Sequence, residues 1–161
     1  AIGAALFNFN QNRNESSRLS APPLISTKIN ETGRTVCAAI SPDAARAAYA
    51  VDENGRQSIY IKNLNSDEAP AQIVAPSEAN DFEGACLAFS PDGGQIYYGV
   101  YENESLDGKL YRIPAAGGEP EFLLKEIDSP VSFSPDGARM VYLVVKETEE
   151  KLIIADADGT N

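Results

Sequence analysis

CLAFSPDGGQIYYGVYE, residues 86–102, places Ser-Pro-Asp-Gly between two short runs of apolar and aromatic residues. Proline presets φ at the second position of a turn, aspartate hydrogen-bonds nearby backbone, and glycine accepts a left-handed conformation that other residues resist. Short runs rich in Val, Ile, Tyr and Phe favour β-strands. The stretch therefore predicts two antiparallel strands joined by a tight turn.

The same pattern occurs three times in the chain. VCAAISPDAARAAYAVDE and SPVSFSPDGARMVYLVVKE align with the first stretch on Ser-Pro-Asp, and a tyrosine follows each serine by eight residues. The pairs are Ser41 with Tyr49, Ser90 with Tyr98, and Ser134 with Tyr142. The serines are 49 and 44 residues apart, a third run follows each pair of strands, and a fourth follows the first two. This spacing is typical of a four-stranded β-propeller blade, which takes roughly 40 to 50 residues.

The repeats predict an all-β chain that forms part of a propeller. A single four-stranded sheet cannot bury both of its faces, so blades must stack around an axis. We expect about three four-stranded antiparallel blades, at about 34–78, 84–127 and 129–161, in an incomplete ring with a lone strand at about 24–30. Residues 1–23 are an apolar stub followed by an Asn/Ser/Pro-rich linker, a composition that does not order itself. The propeller is therefore expected over 24–161.

Several residues are predicted to fill the space between blades. They are the tyrosine series and the residue before each serine, namely Ile40, Phe89 and Phe133. The first turn has Ala44 where the others have glycine, which should cost about 1 kcal/mol if φ is positive there.

Two cysteines, Cys37 and Cys86, occupy equivalent positions in the first two units. Packed sheets lie about 10 Å apart, beyond the Cα reach of a disulfide. This spacing predicts two free, buried thiols.

The composition excludes several functions. The chain has 13 basic and 24 acidic residues, a net charge of −11, which opposes binding to nucleic acid or anionic lipid. It has no histidine, so Ser-His-Asp catalysis and His-rich zinc sites are excluded within this segment. No apolar run reaches the length of about 18 residues that a membrane helix needs. We expect no catalysis and no cofactor here.

The segments AAISPDAARAAYAVDENGRQSIYIKNL, LAFSPDGGQIYYG, GKLYRIPAAGGEPEFLL and LIIADADGT resemble TolB-like (WD40-like) propeller repeats. The order of linker, lone strand and repeats is similar to the extracytoplasmic propellers of bacterial membrane-anchored serine/threonine kinases and related one-pass regulators. That resemblance implies a receptor-like sensor domain in the periplasm or at the cell surface, with residues 1–7 as the end of a truncated membrane helix. Other relatives implied are the partner-binding TolB protein and the propeller that gates prolyl-oligopeptidase-type peptidases, although no kinase motif or G-x-S-x-G occurs here.

Acidic loops are the candidate binding site. One face of a propeller carries the loops that join first to second and third to fourth strands, and most acidic residues fall on the opposite face, here called the second face. We expect its loops to dock a basic protein or a cationic small ligand, with these contacts: Asp81, Phe82, Glu83, Glu102, Glu104 and Asp107. Alternatively the acidic loops serve only solubility, or the last three residues hold calcium, although their spacing is not that of a calcium loop. The predicted function is a non-catalytic binding or sensing module, and the alternative is an access-gating propeller of a peptidase.

Overall fold

The computed structural model describes residues 26–29, 34–82, 86–101, 108–146 and 149–160. In these ranges every regular element is a β-strand. No helix with the length and apolar character needed to cross a membrane occurs among them. Residues 26–29 belong to no strand, so the described part of the predicted lone strand is not confirmed, and the predicted stub and linker at 1–23 lie outside the described residues.

Over the described residues, eleven strands form three antiparallel sheets in which chain neighbours are also neighbours in space. The first sheet contains β1 Arg34–Ile40, β2 Arg46–Glu53, β3 Arg56–Asn63 and β4 Ala71–Ser77. The second contains β5 Ala88–Phe89, β6 Gln95–Tyr101, β7 Gly108–Pro114 and β8 Glu121–Lys125. The third contains β9 Ser132–Phe133, β10 Arg139–Lys146 and β11 Glu149–Asp156. The prediction of an all-β, partial propeller is confirmed, with three strands in the third blade.

The first two sheets pack through complementary side-chain sizes. Ala48 and Ala50 of β2 leave room for the larger residues of the second sheet, among them Ile96 and Tyr98 of β6. Ile59 of β3 completes this contact and has no exposed surface. Burying one such aliphatic side chain stabilises the fold by about 1.5 to 3 kcal/mol, so this core holds the blades together.

A second core joins the second sheet to the third. It contains Tyr97 and Leu110 from the second sheet, and Met140 and Ala155 from the third. Phe133 packs edge-on against Tyr97, with ring centroids 4.7 Å apart. Side chains of β6 alternate between the two cores, as the pleat of a strand buried on both faces requires.

The core prediction is correct for Phe89, which is buried, and wrong for Ile40, which is 61% exposed. Ile40 pairs with Ala47, whereas the equivalent Phe89 pairs with Ile96 and faces the first sheet. By the same register Ile40 lies on the face of the first sheet that is turned away from the second. The position before the serine is buried only where another blade packs on that face.

The Ser-Pro-Asp turns share one hydrogen-bond network. In the first turn the hydroxyl of Ser41 donates to Asp43 Oδ1 at 2.5 Å, and the Arg46 N–H donates to Ser41 Oγ at 2.9 Å. Ser90 and Ser134 make the same contacts in their turns. The bond from serine lowers the pKa of each turn aspartate, and a bond from the backbone N–H two residues on adds to this effect. These bonds explain why serine and aspartate accompany the proline.

The three turns lie side by side at one end of the sheets. The guanidinium Nη2 of Arg46 donates to the carbonyl of Gly93 at 2.8 Å, which joins the first turn to the second. A Cβ placed on Gly137 would lie 3.4 Å from Cγ of Pro91, so the third turn adjoins the second. Ala44 has φ of 56°, close to the 70° of Gly93 and the 72° of Gly137. The first turn therefore has the same conformation as the others and carries backbone strain.

Cys37 and Cys86 form a disulfide, with Cα atoms 6.2 Å apart, so the prediction of free thiols is wrong. The 10 Å spacing used for that prediction holds between the centres of facing sheets. The innermost strands β1 and β5 contact each other directly, so the blades converge there to within disulfide reach. The bridge closes a loop of 49 residues, which stabilises the fold by about 4 kcal/mol in the chain-entropy treatment.

Replacing Ala44 with glycine should stabilise the protein by about 0.5 to 1 kcal/mol. A left-handed conformation costs a non-glycine residue about 1 to 2 kcal/mol in the folded state. Glycine removes this cost, but its greater backbone freedom stabilises the unfolded state and cancels about half of the gain. Urea unfolding measures the gain. The matched control is Gly137→Ala, whose added Cβ meets Pro91 only at an ordinary contact distance and which should destabilise by a similar amount. A destabilised Ala44→Gly variant would contradict this account of the turn.

Removing the disulfide should lower the free energy of unfolding by about 2 to 4 kcal/mol. The double variant Cys37→Ala, Cys86→Ala and the reduced wild-type protein should unfold at similar denaturant concentrations, because both lack the same cross-link. Urea unfolding with and without dithiothreitol makes the comparison. As the control, dithiothreitol should not change the free energy of unfolding of the double variant. Equal stability of the oxidised and reduced wild-type protein would show that the disulfide contributes nothing.

Candidate partner-binding face

The second face lies at the end of the sheets opposite the Ser-Pro-Asp turns. It carries the β2–β3 hairpin and the links between sheets, because consecutive antiparallel strands place alternate connections at opposite ends. The described acidic residues near this face are Asp52, Glu53, Glu78, Asp81, Glu126, Asp128, Glu149 and Glu150. Basic residues also lie there, in all three sheets: Arg34, Arg56, Lys109, Lys125, Lys146 and Lys151. The acidic character is therefore greatest over the first sheet and the link that follows it.

A buried glutamine fixes the link between the first and second sheets. Gln57 of β3 accepts the Phe82 N–H at its Oε1 atom at 2.9 Å, and its backbone carbonyl accepts Asn80 Nδ2 at 2.9 Å. Asn80 Nδ2 also lies 3.2 Å from the carbonyl of Ala75. The Tyr101 N–H donates to the carbonyl of Asp81 at 3.0 Å, which ties the link to β6. The backbone on either side of Asp81 is thus held by both sheets, while its side chain is exposed.

Phe82 is not a surface contact, contrary to the expectation from sequence. It has no exposed surface and packs edge-on against Tyr98 at 5.8 Å in the core between the first two sheets. An aromatic side chain in this link gains more from burial in the core than it would from exposure to water. Its role is to anchor the link.

Of the other predicted contacts, Asp81 is described and exposed. Glu83, Glu102, Glu104 and Asp107 lie outside the described residues. No group of three or more potential metal-ligating side chains occurs among the residues that the structure describes.

Two carboxylates act on the hydroxyl of Tyr101. This hydroxyl donates to Asp128 Oδ1 at 3.1 Å, while Asp128 Oδ2 accepts the Val145 N–H at 2.7 Å. Burial raises the pKa of Tyr101 to about 12, and the hydrogen bond to Asp128 and the charges of Asp128 and Asp81 add to this effect. Asp81, whose carbonyl accepts the Tyr101 N–H, and Asp128, whose carboxylate accepts the Tyr101 hydroxyl, therefore both adjoin Tyr101.

A groove of about 580 Å³ opens between the first and second sheets beside this link. Its walls are mostly apolar, with the side chains of Asn80, Tyr98 and Tyr111 among the polar groups. Tyr98 and Tyr111 stack with ring centroids 5.7 Å apart. Burial raises the pKa of Tyr98 to about 12, and the electrostatic effect of Tyr111 adds to the shift. No sequence pattern indicates this groove directly; the repeated tyrosine, which predicts core packing, is the one related signal.

Gln57→Ala should destabilise the protein by about 1 to 3 kcal/mol, because it leaves the buried Phe82 N–H without its acceptor. The Phe82 amide should also exchange with deuterium faster than in the wild type. The matched control is Gln72→Ala, which removes an exposed amide bonded to the Tyr60 hydroxyl at 2.9 Å and should change stability by no more than about 0.5 kcal/mol. Unchanged exchange at Phe82 would show that Gln57 does not hold the link.

Comparison with known proteins places the fold. No protein-family model matches the chain. TolB from Acinetobacter baumannii matches over 81% of this chain and 32% of its own, with 24% identity and a TM-score of 0.59. A protein from Agrobacterium tumefaciens assigned as TolB matches over 76% of this chain and 45% of its own, with 20% identity and a TM-score of 0.62. The β-propeller domain of the Trilobed protease from Pyrococcus furiosus, which has an open velcro topology, matches over 71% and 36%, with 18% identity and a TM-score of 0.53.

These similarities concern the fold, since all three identities are below 25%. The chain spans less than half the length of each of these structures. Its three sheets correspond to blades of such propellers. The fold is that of a partial β-propeller similar to the propeller of TolB, with three blades in the part that the structure describes.

Proposed function

We propose that this chain is a non-catalytic binding module that docks a basic protein segment or a cationic ligand on its second face. The observation that carries the proposal is the link held by Gln57, in which the exposed Asp81 directly follows Asn80, a residue that lines a groove of about 580 Å³. A rigid scaffold that displays a charged loop next to an apolar groove loses little conformational entropy on binding. The net charge of −11 favours encounter with basic partners.

We further propose an extracytoplasmic location. The bridge between Cys37 and Cys86 supports this, because disulfides persist in oxidising compartments and are rare in the bacterial cytosol. In this proposal the propeller is the sensor part of a larger membrane-anchored protein.

A second candidate function is an access-gating propeller of a peptidase. The similarity to the propeller domain of the Trilobed protease favours it. The complete reading frame separates the two candidates: a sensor of the proposed kind follows a membrane helix, and a gating propeller accompanies an α/β-hydrolase domain. In either case the purified segment should hydrolyse no peptide.

A peptide array tests the binding proposal. Short peptides combining arginine or lysine with one aromatic residue should bind the purified chain, and Asp81→Lys should weaken the best binder at least fivefold in fluorescence anisotropy, because the charge next to Asn80 is reversed. The matched control is Asp67→Lys, the same charge change in the β3–β4 loop at the opposite end of the first sheet. Equal effects of the two substitutions, or no binding of any basic peptide, would rule out a docking site at Asp81.

A further inference from the structure

The groove of about 580 Å³ lies between the first and second sheets, each of which has four strands. The residues of its two walls lie on β4, β6 and β7: Val74, Ala75, Ser77, Tyr98, Val100 and Tyr111. Sites that hold small ligands have volumes of roughly 300 to 1,000 Å³. The groove is therefore large enough for several residues of a peptide.

The groove follows the direction of the strands. At one end it is lined by Pro120, which precedes β8 and lies level with Ile96 of β6 by the sheet register. At the other end it is lined by Asn80, which precedes Asp81 in the link. The carbonyl of Asp81 accepts the Tyr101 N–H, so this end lies about five residues farther along β6, a distance of about 16 Å. The space is elongated and suits an extended ligand.

Tyr98 has a hydroxyl that the fold does not use. The residue is only 3% exposed, yet none of the residues that the structure describes hydrogen-bonds to this hydroxyl. In the described ranges Ser58 Oγ is the one side-chain atom that is both fully enclosed and unpaired, so the Tyr98 hydroxyl keeps access to the groove that the residue lines. An unpaired polar group at such a buried position is costly, and a ligand that pairs with it gains affinity.

Tyr111 adds a second hydroxyl of the same kind. Its ring stacks on that of Tyr98, and its hydroxyl has no hydrogen-bond partner among the described residues either. The other polar side chains of the groove are engaged: Ser77 Oγ accepts the Ala79 N–H at 3.1 Å, and Asn80 Nδ2 donates to two carbonyls. Because its pKa is raised to about 12, Tyr98 stays protonated near neutral pH. The groove therefore offers hydroxyl hydrogens, which carbonyl oxygens can accept.

Aromatic rings continue from the groove to the surface. Tyr111 packs edge-on against Phe122 of β8, with ring centroids 5.7 Å apart, and Phe122 is 51% exposed. Val74, Val100 and Pro120 add apolar surface to the groove itself. Proline-rich segments bind in aromatic-lined grooves of this kind. Apolar contact and two hydroxyl donors are thus combined in one elongated space.

We propose that this groove binds a proline-containing segment of a partner protein in the polyproline II conformation, with a basic residue at the end near Asp81. Such a segment makes no internal hydrogen bonds, so its carbonyls can accept from Tyr98 and Tyr111. Proline has no N–H, so its burial leaves no donor unpaired beside two hydroxyl donors. A stiff backbone also loses little conformational entropy on binding. This inference deepens the proposed function and rests on it for the basic end.

Three peptides of equal length and charge test the conformation. Fluorescein-labelled RPVPPVPR should bind the purified chain saturably in fluorescence anisotropy, and an arginine at each end permits either chain direction. RAVAAVAR keeps the arginines and valines without the preformed conformation and should bind at least tenfold more weakly. RTVTVTVR, which favours a β-strand, should also bind at least tenfold more weakly. No saturable binding of the first peptide, or equal binding of either of the others, would overturn the proposal.

Tyr98→Phe removes the hydroxyl alone and should weaken binding of RPVPPVPR at least about fivefold. Urea unfolding should be unchanged, because this hydroxyl makes no hydrogen bond with the described residues. The matched control is Tyr49→Phe at the equivalent position of the first unit, where Tyr49 stacks on Tyr60 outside the groove. The control should bind like the wild type. Equal affinities of the two variants would show that the Tyr98 hydroxyl does not contact the peptide.

A side chain that fills the groove gives an independent test. Ala75→Trp introduces a large ring at an exposed position of β4 that lines the groove, and it should abolish binding. Ala71→Trp makes the same change at an exposed position of the same strand outside the groove lining, and it should have no effect. Full binding by Ala75→Trp would show that the peptide lies elsewhere.

Asp81→Lys separates this inference from the proposed function. Both predict weaker binding of RPVPPVPR to this variant, because the arginine near Asp81 meets a lysine instead of a carboxylate. If Asp81→Lys weakens binding and Tyr98→Phe does not, the groove proposal fails and the acidic contact stands. If Tyr98→Phe weakens binding and Asp81→Lys does not, the groove is the binding site and the acidic contact is wrong.

Discussion

Contact between the faces of neighbouring sheets is the constraint on which this molecule depends. A single sheet is too thin to form a core by itself, so it depends on another sheet that covers at least one of its faces. Ala48 and Ala50 on one side, with Ile96 and Tyr98 on the other, meet that requirement between the first two blades. The repeat in sequence follows from this, since each unit solves the same packing problem. The turns, the disulfide and the link at Asp81 add to an arrangement that the sheet contacts establish.

The fold could be predicted from local sequence because its determinants are local. Serine, proline and aspartate at fixed spacing specify a turn whose hydrogen bonds close within six residues, as the contact from Arg46 to Ser41 shows. Alternating apolar residues then define the strands on either side. Three copies at blade spacing leave few architectures other than a propeller. Ala44 shows the limit of this local code: the turn forms without glycine because the remaining contacts outweigh its strain.

Local sequence does not predict the features that depend on the distance and orientation between sheets. Cys37 and Cys86 bond because the inner strands converge, and that distance is a property of two blades together. Phe82 turns inward because the path of the link brings it over the core, although its acidic neighbours suggested an exposed loop. Ile40 has the same local pattern as Phe89 and a different environment. For the candidate site, sequence therefore identified Asp81 and the acidic character, and missed Gln57 and the groove.

The contact from Arg46 to the Gly93 carbonyl has a consequence for the order of the repeats. A Cβ on Gly93 would lie 3.0 Å from the guanidinium of Arg46, so an alanine in this turn would force the Arg46 side chain to shift. Arg46 also lies over the ring of Phe89 at 5.8 Å, and position 95, its equivalent in the second unit, is glutamine. The three units are thus similar but not interchangeable. Shuffling them would preserve every hairpin and lose the connections that distinguish one neighbour from another.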